Sequence, residues 1–344
     1  LLTGFLSDRS KRYWAWTIGG YAVNLLAVPA LALAPGLGWV WACGLIVVER
    51  FGKAIRHPAK NTLASFAAKE VGAGKGFALQ EALDQIGAFL GPVLLFIVLT
   101  EKAGHTLADY ALGFMILGIP AVITLVLILV ARFTYPRPQD FETAAPSSVP
   151  DRHFPTSYWI FLGAIAFLAV GFADFPLMAF HFAQKHTVPQ NDIPLLYALA
   201  MGVDALSALF FGRMYDKRGF RALVISSLVS AFFAPFVFLV NTPWSAFLGM
   251  IFWGVGMGAQ ESILKSAVTS LVPKEKRGTA FGIFYTGFGI FWFLGSWAMG
   301  VLYGISLTSL VAFSMVFQLA SVPLFLWAGR HRPSSTIAPT PGQH

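Results

Sequence analysis

Residues 4–12 read GFLSDRSKR, and residues 212–219 read GRMYDKRG. Both stretches have the pattern Gly-x-x-x-Asp with basic residues after the aspartate, and each lies beside long apolar segments. The two aspartates, Asp8 and Asp216, are 208 positions apart. A repeat over such a distance in a hydrophobic chain predicts two related membrane halves.

A second pair of segments supports this duplication. Residues 75–92 read KGFALQEALDQIGAFLGP, and residues 279–296 read TAFGIFYTGFGIFWFLGS, so that Gly91 and Gly295 correspond 204 positions apart. In the second half, two apolar segments precede the motif, whereas the first motif stands almost at the start of the chain. Symmetry therefore predicts two further spans before residue 4 in the complete protein.

The composition is typical of a membrane protein. Of the 344 residues, 56% are hydrophobic and only 12% are charged, against about 25% charged in soluble proteins. A helix needs roughly 20 apolar residues to cross a bilayer core, and backbone groups in lipid require helical hydrogen bonding. Ten segments are predicted as helical spans, with approximate limits 13–34, 37–56, 75–99, 108–133, 157–183, 193–212, 221–240, 244–266, 277–304 and 306–329.

The placement of charges predicts the orientation. All but two of the 24 Lys and Arg residues fall on one side of these spans, and the exceptions are Lys102 and Lys185. The positive-inside rule places the basic side in the cytoplasm, so we expect a bacterial inner-membrane protein with a cytoplasmic linker and C-terminus. Topology then explains the formal charge of +8, and nucleic-acid binding is not predicted.

The predicted organisation has four parts. An N-terminal helical half covers residues 1–133, a polar, Pro-rich linker covers 134–156, and a C-terminal helical half covers 157–332. The tail, residues 333–344, is predicted to be disordered. With the two missing spans, each half would have six helices, and the ten spans would be helices three to twelve.

The duplicated motif resembles the signature loop of the major facilitator superfamily, Gly-x-Leu-x-Asp-Arg-x-Gly-Arg-Arg, which lies between helices two and three of each half. The matching residues are Gly4, Leu6, Asp8, Arg9, Lys11 and Arg12 in the first copy, and Gly212, Asp216, Lys217, Arg218 and Gly219 in the second. Residues 49–60 and 76–92 further resemble poorly characterised bacterial permeases of that superfamily. The resemblance implies an all-α polytopic fold, with ten of twelve helices present, that carries a small solute by alternating access as a monomer.

The resemblance also implies that the motif aspartates act as conformational clasps. A carboxylate at one helix end can accept hydrogen bonds from the N-terminus of another helix, whose dipole favours an anion. Asp8 would meet the start of helix eleven near residues 276–279, and Asp216 the start of helix five near residues 74–75. The alternative is a solvated turn with basic anchors. The residues expected to form the clasps are Gly4, Asp8, Arg9, Gly212, Asp216 and Arg218.

Charged residues within the spans are confined to particular helices. Four spans carry none through their middles, and the corresponding helices of the superfamily, three, six, nine and twelve, face lipid. A charge at mid-bilayer costs at least about 2.5 kcal/mol, so each such residue is a functional candidate by default. The candidates, all in predicted cavity-lining helices, are Glu49, Arg50, Glu81, Asp84, Asp174, Asp204, Glu261 and Lys265.

Two carboxylates of the predicted fifth helix are the candidates for proton coupling. Asp84 lies nine residues beyond Lys75, roughly 13 Å into the membrane, and Glu81 lies nearly one turn closer to the cytoplasm on the same face. Neighbouring carboxylates in a low dielectric do not both ionise readily, which suits proton uptake and release. Arg50 of the adjacent helix is expected to pair with one of them. The alternative is a structural ion-pair network between helices four and five.

Two further carboxylates are candidates for contact with the solute. Asp174 stands near Pro176, which can break a helix, toward the outer end of its span. It is expected to contact substrate or a gate, or to be an interfacial polar group. Asp204 lies two turns before Gly212 and is expected to face the cavity.

Helices ten and eleven supply the remaining candidates. Glu261 and Lys265 are spaced i, i+4 in the favourable order, and they form either a cavity pair or a self-paired strut. Tyr285 aligns with Glu81 at the 204-residue offset and is the aromatic residue expected to contact substrate.

The sequence favours proton-coupled export. It contains no glycine-rich phosphate loop, zinc-ligand spacing or nucleophile motif, so ATP-driven transport, enzymatic activity, a metal and a cofactor are not predicted. Gly87-x-x-x-Gly91-Pro92 is similar to the fifth-helix motif of drug and proton antiporters, with Ala78 where that motif has another glycine. The alternatives are an uptake symporter of the same fold, a non-transporting sensor or assembly protein, and a polytopic membrane enzyme.

Overall fold

The computed structural model describes residues 2–100, 107–137, 154–189 and 192–330, and its regular elements within those ranges are all helices. The α-helices, labelled α1 to α15 in chain order, are Leu2–Ser10, Tyr13–Ala30, Ala34–Leu37, Trp39–Val71, Ala73–Thr100, Leu107–Ile116, Gly118–Thr134, Thr156–Gly171, Phe175–Lys185, Ile193–Arg218, Arg221–Ser230, Phe233–Phe238, Pro243–Leu271, Arg277–Ile305 and Leu307–Arg330.

Several predicted spans consist of two helices because the chain bends inside them. The span predicted at 157–183 is divided between α8 and α9, where Asp174 has an extended backbone and Pro176 stands in the first turn of α9. Proline lacks the N–H that would continue the preceding helix, but it suits the first turn of a new one. Near Pro29, a 3-10 turn, Leu31–Leu33, similarly separates α2 from α3.

Eight segments of the described residues are long and apolar enough to cross a membrane, rather than the ten predicted. They are Tyr13–Leu37, Ala111–Thr134, Thr156–Lys185, Leu195–Arg218, Arg221–Phe238, Pro243–Leu271, Lys274–Ile305 and Leu307–Arg330. The predicted spans 37–56 and 75–99 lie in α4 and α5, which are helical but are not among the eight. In α4, Glu49, Arg50 and Lys53 interrupt the apolar run. The all-helical membrane fold is therefore confirmed, and the predicted count is slightly too high.

Two predicted regions extend beyond the described residues. Of the linker predicted at 134–156, residues 138–153 lie outside the described ranges, and the predicted tail, 333–344, lies wholly outside them. The division into helical half, linker, helical half and tail therefore stays a prediction.

The chain divides into two compact units, and each contains a short segment from the other half of the sequence. Within the described ranges, the first unit comprises residues 2–70, 83–100, 107–137 and 274–283, and the second comprises residues 71–82, 154–189, 192–273 and 284–330. The first turns of α14 thus belong to the first unit, and the first turns of α5 belong to the second.

Each unit has its own core of aromatic and aliphatic side chains. In the first, Tyr13 packs edge-on against Phe66, with ring centroids 5.9 Å apart. In the second, the Phe172 ring lies 5.3 Å from that of Phe233 and 6.0 Å from that of Trp253. Large aromatic side chains contribute much buried area, and they fix the helices that carry the polar residues described next.

Candidate functional site

Asp8, near the end of α1, is anchored to the N-terminus of α14. Its Oδ1 atom accepts hydrogen bonds from the Gly278 N–H at 3.0 Å and the Tyr13 hydroxyl at 2.9 Å, and its Oδ2 atom accepts one from the Thr279 N–H at 2.6 Å. Burial raises the pKa of the Asp8 carboxyl above its ordinary value, and these hydrogen bonds oppose the shift. Asp8 thus occupies the anion site formed by the free N–H groups and dipole of a helix N-terminus.

Asp216, near the end of α10, makes the equivalent contact with the N-terminus of α5. Its Oδ1 atom accepts a hydrogen bond from the Gly74 N–H at 2.7 Å, and its Oδ2 atom accepts one from the Lys75 N–H at 2.8 Å. Asp216 is exposed, whereas Asp8 is buried. Both motif aspartates therefore reach the backbone segments expected from the sequence, while their conformational role stays a prediction.

Glycines allow the helices to approach closely at both contacts. A Cβ atom at Gly4 would collide with the Gly278 carbonyl group, and a Cβ atom at Gly212 would collide with the side chain of Ala78 and the carbonyl of Gly74. The two aspartates reach backbone N–H groups because no side chains separate the helices there. Among the basic motif residues, Arg9 lies exposed at the end of α1, and Lys217 and Arg218 lie exposed at the end of α10.

Replacing Gly212 by valine is expected to destabilise the protein, because the added atoms would overlap Ala78 and the Gly74 carbonyl. Overpacking of this kind costs about 1–3 kcal/mol, which lowers the melting temperature by several degrees. The matched control is Gly202→Val on the same helix, where no described atom lies within 4 Å of an added Cβ. Thermal unfolding in detergent measures both variants, and equal melting temperatures would contradict the close approach.

A buried ion cluster joins α13 to the first turns of α5. The Lys265 Nζ atom lies 3.0 Å from Glu81 Oε2 and 3.3 Å from Glu261 Oε2. The exposed fractions of these side chains are 7% for Lys265, 4% for Glu81 and 40% for Glu261. The Glu261 contact follows from the i, i+4 spacing on α13. The Glu81 contact joins residues 184 positions apart, and it gives the buried ammonium group a buried counter-ion.

Asp204 adds a third carboxylate to this region. Asp204 is fully buried on α10. Its carboxylate lies close enough to Glu81, Glu261 and Lys265 to interact with their charges. A glycine of α13, Gly258, allows α10 to come close, since a Cβ there would collide with the Asp204 backbone carbonyl. Three carboxylates therefore share the surroundings of one ammonium group, and removing such charges from water is costly unless they are paired.

A narrow cleft between α13 and α14 borders this ion cluster. Its lining residues are Met257, Gln260, Glu261, Leu264, Lys265, Phe284, Tyr285, Phe288 and Trp292. Three aromatic residues of α14 follow one another at i, i+4 spacing, with ring centroids 5.9 Å apart for Phe284 and Phe288 and 5.2 Å apart for Phe288 and Trp292. The cleft thus has a charged side and an aromatic side, and Tyr285 stands in its lining.

Asp174 holds one wall of this cleft. It lies at the start of α9, and its two carboxylate oxygens accept hydrogen bonds from the Trp292 indole Nε1–H and the Ser296 hydroxyl. Because Trp292 lines the cleft, the hydrogen bond to Asp174 fixes the position of one of the aromatic side chains of the cleft.

Asp84 and Arg50 have other partners. Asp84 Oδ2 lies 3.1 Å from Lys60 Nζ, and 52% of the Asp84 side chain is exposed. Arg50 Nε lies 3.2 Å from Glu49 Oε2 in its own helix, so the predicted pairing of Arg50 with Glu81 or Asp84 is wrong. Three residues turn a helix by about 300°, so the Glu81 and Asp84 side chains diverge by roughly 60°, and each contacts a different lysine.

Sequence reasoning missed three polar residues that stand at these contacts. In the sequence, Lys60 is marked only as one of many basic residues on the predicted cytoplasmic side. Gln260 and Asn24 carry no charge, although the Asn24 Nδ2 group donates a hydrogen bond to Glu49 Oε1 at 2.7 Å. An uncharged amide inside an apolar segment is the signal that would have found both.

Residues 1–296 match a family model described as the Major Facilitator Superfamily. An uncharacterized protein of Mycobacterium tuberculosis is 37% identical over 329 residues, which cover 94% of this chain and 78% of that protein. An uncharacterized MFS-type transporter of Methanocaldococcus jannaschii is 26% identical over 341 residues, which cover 95% of this chain and 81% of that protein.

Solved structures show the same fold at low sequence identity. A bacterial homologue of the iron transporter ferroportin, in an outward-facing state, superposes with a TM-score of 0.68 at 16% identity, covering 96% of this chain and 88% of that one. The proton:xylose symporter XylE superposes with a TM-score of 0.70 at 13% identity, covering 96% and 82%. At such identities the likeness establishes the fold alone.

Proposed function

We infer that this chain, which belongs to the Major Facilitator Superfamily, is a secondary active transporter that carries a small solute across a membrane by alternating access and couples this movement to protons. The observation that carries the proposal is the buried ion cluster of Lys265, Glu81 and Glu261, with Asp204 beside it. Intramembrane ionisable residues are expensive, and in transporters they mark solute and proton pathways.

The composition of the cluster suits proton exchange. One ammonium group balances one carboxylate, so three ionised carboxylates would leave an excess of negative charge in a low dielectric. Like charges repel one another at close range in such surroundings, and a proton added to the cluster would relieve this repulsion. Among its members we propose Glu81 as the coupling residue, because it is buried and contacts Lys265 directly.

The Asp8 and Asp216 contacts are the proposed conformational clasps. Each consists of two hydrogen bonds from backbone N–H groups to one carboxylate. Such contacts can form and break as units during a transport cycle, because a helix N-terminus left by its carboxylate can be satisfied by water.

We propose that the direction of transport is export, because the Gly87-x-x-x-Gly91-Pro92 element is similar to the fifth-helix motif of drug and proton antiporters. The excess of Lys and Arg on one side of the spans supports a bacterial inner-membrane location with the linker and C-terminus in the cytoplasm. A monomer suffices for the proposed mechanism.

Proteoliposomes containing the purified protein and an internal pH dye test the transport function. A panel of organic cations, organic anions, sugars and amino acids is added with and without a pH gradient. We expect at least one class to move protons above the level of protein-free liposomes, and a protonophore to abolish its gradient-driven accumulation. A non-transporting sensor of the same fold would give no solute-dependent flux with any class, and that result would refute the proposal.

A further inference from the structure

The cleft between α13 and α14 contains an amide group that the ion cluster does not use. Gln260 is 6% exposed and lines the cleft. Neither its Oε1 atom nor its Nε2 atom has a hydrogen-bond partner within the part of the chain that the structure describes. A buried amide left in this way destabilises a protein, so a polar group that enters the cleft would be stabilised by it.

The charges beside Gln260 favour a cationic group over an anionic one. Lys265 is 7% exposed and already contacts Glu81 and Glu261, so little of its charge is available to an incoming anion. Glu261 is the accessible member of the cluster, since 40% of its side chain is exposed. Two carboxylates, Glu81 and Glu261, contact one ammonium group, so the surroundings carry more negative than positive charge when both are ionised.

The aromatic side of the cleft favours a cation with an apolar body. Tyr285, Phe288 and Trp292 are partly exposed on α14 and line the cleft. Aromatic faces attract ammonium groups within about 6 Å of the ring centroid, and they also pack against apolar groups. The cleft encloses about 30 Å³, which is room for a group about the size of one water molecule. A small head group would enter it, and the rest of the solute would lie along the aromatic residues.

We propose that this cleft binds the ammonium head group of an organic amine, with Glu261 as its counter-ion, Gln260 as its hydrogen-bond partner, and the α14 aromatic residues along its apolar body. This assignment rests on the proposed transport function, because it names the class of solute for that function. It also adds Gln260 to the binding residues expected from the sequence.

Three probes with one phenyl body and different head groups test the assignment. They are phenethylamine, 2-phenylethanol and 3-phenylpropionate, which are cationic, neutral and anionic at pH 7. Isothermal titration calorimetry on the purified protein in detergent gives the affinities. We expect phenethylamine to bind at least tenfold more tightly than the alcohol, and the acid to bind no more tightly than the alcohol.

Variants then locate the binding site. Glu261→Gln is expected to remove most of the preference for the amine over the alcohol, and a cooperative thermal unfolding transition in detergent reports that the variant is folded. Gln260→Leu is expected to weaken amine binding severalfold. The matched control is Asp192→Asn, an exposed carboxylate at the start of α10, which is expected to change nothing. If Glu261→Gln does not fold, Tyr285→Leu takes its place, with weaker amine binding expected.

Three outcomes would overturn the proposal: equal affinities for the three probes, a preference for the acid, or no binding of any probe. Binding is measured without a gradient, so its result is distinct from that of the transport assay. A transporter of neutral or anionic solutes would fail here and still show coupled flux, whereas a non-transporting amine sensor would bind phenethylamine and show no flux.

Discussion

Replacing Lys265 by methionine is expected to lower the free energy of unfolding by about 3–5 kcal/mol, because it leaves buried carboxylates without their cation. The Lys265 Nζ atom contacts Glu81 at 3.0 Å and Glu261 at 3.3 Å, and the Glu81 side chain is only 4% exposed. Methionine has a similar length, so lost packing contributes little. Unfolding in detergent, followed by thermal or denaturant titration, measures the change.

Two further variants separate the electrostatic cause from a packing effect. The double variant Lys265→Met with Glu81→Gln is expected to recover much of the lost stability, because a neutral amide replaces the buried charge. Lys217→Met, on the exposed end of α10, is the matched control and is expected to stay within about 0.5 kcal/mol of the unchanged protein. A loss below about 1 kcal/mol for Lys265→Met alone would show that the cluster is not a tightly coupled unit.

Glu81→Gln is expected to reduce proton-driven accumulation of solute more than tenfold, because the amide cannot release or accept a proton at this position. Exchange of solute across the membrane without a gradient is expected to persist, since the fold and the cleft are retained. The measurement compares both modes in proteoliposomes at matched protein content. Asp192→Asn serves again as the control that changes neither mode.

Asp84→Asn is the decisive comparison for the proton-coupling assignment. Asp84 is half-exposed and pairs with Lys60 at 3.1 Å, so we expect its replacement to affect coupled flux less than Glu81→Gln does. The reverse order, with coupling lost in Asp84→Asn and kept in Glu81→Gln, would move the proton site to Asp84 and rule out Glu81.

The helices and the two aspartate contacts could be predicted from the sequence because their signals are local or repeated. Apolar runs of span length specify helices in lipid. For the aspartate contacts, the partner segments near residues 276–279 and 74–75 are implied by the resemblance of the repeated motif to the superfamily, and the preference of a carboxylate for a helix N-terminus supplies the physical reason. The structure shows these contacts at Gly278 for Asp8 and at Gly74 for Asp216.

The buried cluster could be predicted only in part. The i, i+4 spacing indicates the Glu261–Lys265 contact, but nothing in the spacing indicates that Glu81 reaches the same ammonium group. The pairing predicted for Arg50 failed because a neighbouring carboxylate, Glu49, competes for it within one helix. Gln260 has no charge that would mark it in the sequence, and its importance depends on which neighbours surround it in the folded chain.

The division of the two units has a consequence for biosynthesis. Asp8 accepts a hydrogen bond from the N–H of Gly278, which lies 270 positions further along the chain. The first unit therefore includes residues 274–283. At synthesis rates of 5–20 residues per second, roughly 15–55 seconds pass between the emergence of the two partners from the ribosome. The first unit can therefore be completed only after most of the second has been synthesised, so a nascent chain interrupted before residue 274 would leave the Asp8 carboxylate without its backbone N–H partners.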